Sequence, residues 1–175
     1  MSNKIYCLSK INKNETVMEL NINPHENNIV SKRVNIISIK MVKEGSVLYS
    51  NRKIGSPSDA ADLLKPFLQD SDREMLVVCC LDTKNQPTLI NIVSIGTLNS
   101  SLVHPREVFK AAVLGNAASV IIAHNHPSGD PSPSSEDICI TSRIKESGKI
   151  LGIDVIDHIV IGFNNYVSLK ERGLL

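Results

Sequence analysis

The chain has no tryptophan, and aromatic residues make up only 3% of it. Its core must therefore be built from Ile, Val, Leu and Ala, within an ordinary hydrophobic content of 42% over 175 residues. That length suits one domain with a single core. Charge of one sign is also missing: the net charge is +1, which argues against a surface built for strong nucleic-acid binding. The balance is uneven along the chain. Residues 1–60 carry nine Lys/Arg against five Asp/Glu, and residues 61–175 carry ten against thirteen. A surplus of that size reads as a solvated surface. No apolar run approaches eighteen residues, so no membrane span is expected. The start, Met-Ser-Asn-Lys-Ile-Tyr-Cys, has no apolar stretch of the signal-peptide kind. Cys7, Cys79, Cys80 and Cys139 show no Cys-x-x-Cys spacing. They read as buried free thiols in a reducing, cytoplasmic setting. There is no internal repeat.

Residues 1–33 are polar and rich in Asn, and read as a partly disordered extension with a short strand near Glu15–Leu20. Val34 to Val42 alternates and is β-branched, which predicts a strand, paired with Val47–Ser50 across Glu44-Gly45. Ser58 is expected to cap a helix reaching Leu68. Met75–Leu81 and Thr88–Ile95 read as strands joined by a turn over Asp82–Pro87. His104-Pro105 opens a helix running to about Gly115, with Pro at the first helical position. Ala117–Ala123 reads as a buried strand, Ser135–Lys149 as a helix, and Ile153–Ile161 and Tyr166–Leu169 as strands. The class is α/β (α+β), a mixed sheet flanked by helices.

One stretch carries the chemistry: Ile-Ile-Ala-His-Asn-His-Pro-Ser-Gly-Asp-Pro-Ser-Pro-Ser-Ser-Glu-Asp, residues 121–137. On a strand, i and i+2 share a face, so His124 and His126 project together if the strand stays extended. Residues 127–134 hold three prolines and one glycine and must turn. Ser134 is then a helix N-cap, and Asp137 sits at the third helical position, ordered and ionised by the exposed amides. Taken singly, His-x-His is more often not a metal site, Ser-x-x-Asp is more often a cap, and Pro-Ser-Gly-Asp-Pro is a turn. Together within fourteen residues they offer two imidazoles and a carboxylate at one point. Three protein ligands with a fourth position left to water is the arrangement of a catalytic zinc, one per chain. The same ligands also suit manganese or iron.

His-x-His-Pro followed by Ser-x-x-Asp resembles the JAMM signature of the MPN (JAB-type) metallopeptidases. The longer string from His124 to Asp137 resembles the RadC branch of that superfamily. Leu81-Asp82-Thr83-Lys84-Asn85, Gly96-Thr97-Leu98-Asn99-Ser100-Ser101, His104-Pro105-Arg106-Glu107 and Asp157-His158-Ile159 agree with it. The likeness runs from about Val34 to the C-terminus, over a domain spanning 34–175. It implies an MPN/JAB-like fold, related to that of cytidine deaminase, and a zinc-dependent hydrolase of the peptidase or isopeptidase type. It also implies a Glu, upstream of His-x-His, that moves the water's proton. Glu74 matches that place, with Glu107 as the rival. Glu136 is expected to face away on its helix. The resemblance gives Ser134 a share in stabilising the developing oxyanion, its hydroxyl proton free to donate while its oxygen caps the helix. His158 reads as a core histidine satisfied by backbone, with a place beside the metal ligands as the alternative. His104 reads as a helix-start residue and His25 as part of the extension.

No Gly-containing helical hairpin precedes Val34, so the chain resembles the short RadC forms found beside mobile elements. DNA repair attaches to the family as a label only. The alternatives to a hydrolase are a non-catalytic binding module and a DNA-processing accessory protein. The His-x-Glu and Pro-Cys-x-x-Cys pattern of zinc deaminases is absent. Expected partners are a peptide or protein substrate of unknown identity, with no membrane and no strong nucleic-acid signal. An edge strand near Val34 would offer a homodimer contact.

Overall fold

Residues 34–96 and 103–175 are described by the computed structural model of the chain. The polar extension over 1–33, its strand near Glu15–Leu20, Cys7, His25 and most of the Gly96–Ser101 motif lie outside them. The chain divides into two compact units, Met1–Lys40 and Met41–Leu175. The described part of the first, 34–40, has exposed side chains and no regular secondary structure. The strands expected at Val34–Val42 and Val47–Ser50 are therefore absent among the described residues, despite the alternation. A strand exists only within a ladder, and residues 34–49 form none here. The homodimer contact read from an edge strand near Val34 loses its strand in the same way.

The second unit is built on a five-stranded sheet. Helix α1 spans Pro57–Leu68. Strands β1 and β2 are Met75–Leu81 and Pro87–Ile95. Helix α2 is Pro105–Leu114, β3 is Ser119–Asn125 and α3 is Ser135–Leu151. Strands β4 and β5 are Asp154–Ile161 and Tyr166–Ser168. The sheet order is β2-β1-β3-β4-β5, parallel between β3 and β4 and antiparallel elsewhere. This is the expected mixed α+β architecture.

Local chemistry sets the element ends. The α1 cap is Ser56, not Ser58: its hydroxyl accepts from Asp59 N, and its own amide donates to Asp59 Oδ2. Pro57 occupies the first helical position, where its fixed φ suits a helix start and its missing N–H is no loss. Gly152 ends α3 at φ 69°, a left-handed cap that glycine adopts without a Cβ penalty.

Strand alternation divides the core into two layers. Leu76, Val78, Cys80, Val120 and Ile122 face α2 and α3, packing with Val108, Ala112, Ile140 and Ile144. Val77, Cys79, Leu81, Ile121 and Ala123 face α1 and its Ala60, Ala61, Leu64 and Leu68. Each fully buried Val, Leu or Ile among them contributes about 1.5–3 kcal/mol. Cys79 and Cys80 lie on opposite faces, both buried, and burial pushes both thiols up to about 12. Cys139 departs from the buried-thiol expectation: it is exposed on α3.

Strand β4 does not alternate evenly. Val120 pairs with Val155, but Ile121 pairs with Asp157, so Ile156 is an extra residue in the ladder. Such a bulge shifts side-chain parity. Val155 faces α3, Ile156 faces the α1 side, and beyond the bulge His158 returns to the α3 face, paired with Ile122. Even alternation from Val155 would have sent His158 to the opposite layer.

Candidate metal centre

Strand β3 runs on in extended form past its last ladder residue, because His126 N donates to Ile161 O at 2.9 Å. The i, i+2 relation between His124 and His126 therefore survives. The loop that follows folds back on the turn after β4. Gly129, at φ 84°, donates to His126 O and accepts from Phe163 N. The His126 Nδ1 lies 2.7 Å from the Asp130 carbonyl, which fixes the ring with Nε2 pointing inward.

Helix α3 supplies the carboxylate. Ser134 caps it, accepting from Asp137 N at 3.2 Å. Asp137 Oδ2 accepts from both the amide and the hydroxyl of Ser134, each at 2.7 Å. The hydroxyl proton of Ser134 is thus directed to Asp137, not free as expected, because the short cap-to-N3 loop puts the carboxylate within its reach. Burial raises the Asp137 carboxyl, but the neighbouring His124 ring and the two Ser134 bonds outweigh it and hold it well below the usual carboxylate range.

The three side chains meet. His124 Nε2 and His126 Nε2 are 3.0 Å apart. His124 Nε2 lies 3.3 Å from Asp137 Oδ1, and His126 Nε2 lies 3.5 Å from Oδ2. At metal–ligand distances of about 2.0–2.2 Å, the edges of a tetrahedron come to about 3.3–3.6 Å. The trio can therefore hold one metal ion with small adjustments, and its donor types suit zinc.

The cleft beside this trio has a volume of about 400 Å³ and is lined by Glu74, His126, Pro127, Ser128, Ser134, Glu136 and Asp137. Glu74 stands one residue before β1. Continuing the antiparallel register past Leu76↔His124, two residues back along β1 and two forward along β3, brings Glu74 level with His126, and both line the cleft. Asn125 secures this corner: its Oδ1 accepts from Met75 N at 2.7 Å, and its Nδ2 donates to Arg73 O at 3.0 Å. Glu107 lies on α2, paired with Lys110 at 2.5 Å and Arg106 at 3.3 Å. The bond from Lys110 leads the causes that lower its carboxyl. Glu136 does line the cleft, against the expectation that it faces away. Its place in the first helical turn puts it at the mouth next to the capping loop.

His158 is not satisfied by backbone. Its Nε2 is 2.8 Å from His124 Nδ1, and its Nδ1 is 2.5 Å from Thr141 Oγ1. Burial, and then the neighbouring His124, push its pKa well below the usual histidine value. Thr141 was not singled out from sequence, although its i+4 spacing from Asp137 on α3 was a usable signal. Asp157 serves structure, accepting from His158 N, Ser168 Oγ and Lys170 N to hold β5 against β4. His104 caps α2, its Nδ1 accepting from Arg106 N.

A family profile described as the RadC-like JAB domain matches residues 54–174. A UPF0758 protein of Methanosarcina barkeri is 56% identical over 124 residues, 71% of this chain and 54% of its own length. A UPF0758 protein of Methanosarcina mazei is 55% identical over the same shares. One from Clostridium botulinum is 49% identical over 149 residues, 83% of this chain and 65% of its own. The chain spans a little over half the length of the archaeal relatives it matches.

Proposed function

We propose that this chain, which belongs to the RadC-like JAB-domain family, is a zinc-dependent hydrolase that cleaves a peptide or isopeptide bond, with residues 34–175 as its metal-binding domain. The observation that carries this reading is the convergence of His124, His126 and Asp137 at near-tetrahedral spacing on the cleft that Glu74 also lines. The two imidazoles and the Asp137 carboxylate hold the ion. When bound, zinc supplies a water of pKa near 7 and a Lewis acid for the carbonyl.

The chain's own residues do the rest. Glu74, across from His126, takes the water's proton and passes it to the leaving amine. Ser134 orients the Asp137 carboxylate through two hydrogen bonds, so its hydroxyl acts on the ligand before it can act on substrate. Glu136, beside Glu74 and Asp137 in the lining, adds a third carboxylate to the wall, which favours a cationic or amine-bearing leaving segment over an acidic one. The partner on this reading is a peptide or protein substrate. Buried free thiols at Cys79 and Cys80 fit a reducing, cytoplasmic compartment. Among the described residues no helix is long and apolar enough to cross a membrane.

The test is metal stoichiometry by plasma mass spectrometry on the wild-type chain, His124→Ala and Asp137→Ala, followed by a panel of linear and isopeptide-linked peptides. About one zinc per chain, lost in both variants, with cleavage abolished by chelation, is the expected result. A folded wild type that takes no zinc even when it is supplied would end the proposal.

A further inference from the structure

The buried contacts behind His124 form a single hydrogen-bond chain, and its polarity can be worked out from one end. The Asp137 carbonyl has no proton, and Thr141 Oγ1 lies 2.6 Å from it. A contact that short between two oxygens requires the threonine proton to lie between them. Thr141 has one hydroxyl proton and spends it there, so its oxygen can only accept from His158 Nδ1 at 2.5 Å. His158 is fully enclosed. A neutral ring with its proton on Nδ1 has a bare Nε2, which must accept from His124 Nδ1 at 2.8 Å. His124 then carries its proton on Nδ1, and its Nε2 presents a lone pair toward His126 and Asp137.

We infer that Thr141 and His158 are positioning residues, forming a relay from the Asp137 carbonyl that holds His124 in the tautomer able to bind a metal. This rests on the metal-site reading above and deepens it. The relay starts and ends on ligands: the backbone of one, through two side chains, sets the proton of another. Its use lies in what it prevents. His124 Nε2 is 3.0 Å from His126 Nε2 and 3.3 Å from Asp137 Oδ1, so a proton on His124 Nε2 would find good acceptors and occupy the place of the metal. The relay removes that competitor. The β4 bulge at Ile156 is what brings His158 to this face, so it belongs to the same device. Partners of this kind typically change metal affinity by about 10–100-fold when removed.

The experiment uses the full chain. Long-range proton–nitrogen NMR on the metal-free protein reports which ring nitrogen of each histidine is protonated. Zinc affinity comes from competition with a fluorescent chelator. In the wild type, His124 and His158 should both carry the proton on Nδ1. Thr141→Val, nearly isosteric, frees His158 to protonate Nε2 and donate to His124. Both rings should switch tautomer, and zinc affinity should fall about 10–100-fold. Thr141→Ser should restore both. His158→Gln, whose side-chain oxygen can accept near the position of Nε2, should bind more tightly than His158→Leu. Unchanged tautomers and affinity within twofold in Thr141→Val would overturn the relay. A wild type with both Nδ1 protons in place but no zinc binding would leave the relay standing and sink the metal reading instead.

Discussion

Replacing Ser134 with alanine separates its structural work from any direct part in chemistry. The hydroxyl makes two bonds: it accepts from Asp137 N at 3.2 Å and donates to Asp137 Oδ2 at 2.7 Å. Losing the N-cap acceptor costs about 1 kcal/mol. Losing a donor to a charged group costs about 1.5–3 kcal/mol in full, but Oδ2 keeps the Ser134 amide at 2.7 Å, so about 1 kcal/mol is the appropriate share. The sum, about 2 kcal/mol, corresponds to a fall in Tm of about 4–8 °C for a domain of this size. The sign with pH also follows. Asp137 has its folded pKa depressed below the ordinary 3.8, so its bonds stabilise the fold above the unfolded pKa, and that contribution is lost as pH falls through the folded value. The gap between wild type and Ser134→Ala should therefore be full at pH 7 and shrink below about pH 4. Urea unfolding of the metal-free proteins at several pH values, followed by circular dichroism, measures it. Ser134→Thr keeps the hydroxyl and should recover most of the loss. Equal stability of wild type and Ser134→Ala at pH 7, or a gap that widens on acidification, would refute the reasoning.

Other expectations follow from single contacts. Glu74→Gln should keep wild-type zinc content and Tm yet cleave an isopeptide reporter at least about 100-fold more slowly; an active Glu74→Gln enzyme would remove it as the proton carrier. Gly129→Ala places a Cβ against the Phe163 ring at a left-handed φ of 84°. It should cost about 2–4 kcal/mol in urea unfolding and weaken zinc binding through the Asp130 carbonyl that holds His126. Under native conditions a thiol reagent should modify exposed Cys139 quickly, and should reach buried Cys79 and Cys80 only as the fold opens. Peptide mapping of the labelled protein would read the order directly.

Much of the site was legible in the chain itself because its determinants are local. Two histidines on one strand face, a turn forced by three prolines and a glycine, and a cap three residues before an acid all lie within fourteen residues. Each follows from backbone geometry that needs no distant partner. The helix beginnings at Pro105 and Ser135 were readable for the same reason, and α1 was misplaced by two residues only because Pro57 favours Ser56 as the cap. Alternation at Val34–Val42 misled: it describes a face that could be buried, and only a neighbouring ladder turns that into a strand.

What the chain by itself determined was the trio His124, His126 and Asp137 and the helix end that orders the acid. Tertiary structure alone decided which carboxylates join them. Antiparallel pairing of β1 with β3, which ends at Leu76↔His124, brings Glu74 to the cleft that His126 also lines, while helix α2 keeps Glu107 in its own ion pairs. The placing of His158 was likewise invisible in sequence. One extra residue at Ile156 reverses which face of β4 meets α3, and strand pairing, which joins residues far apart in the chain, leaves no local trace of that choice.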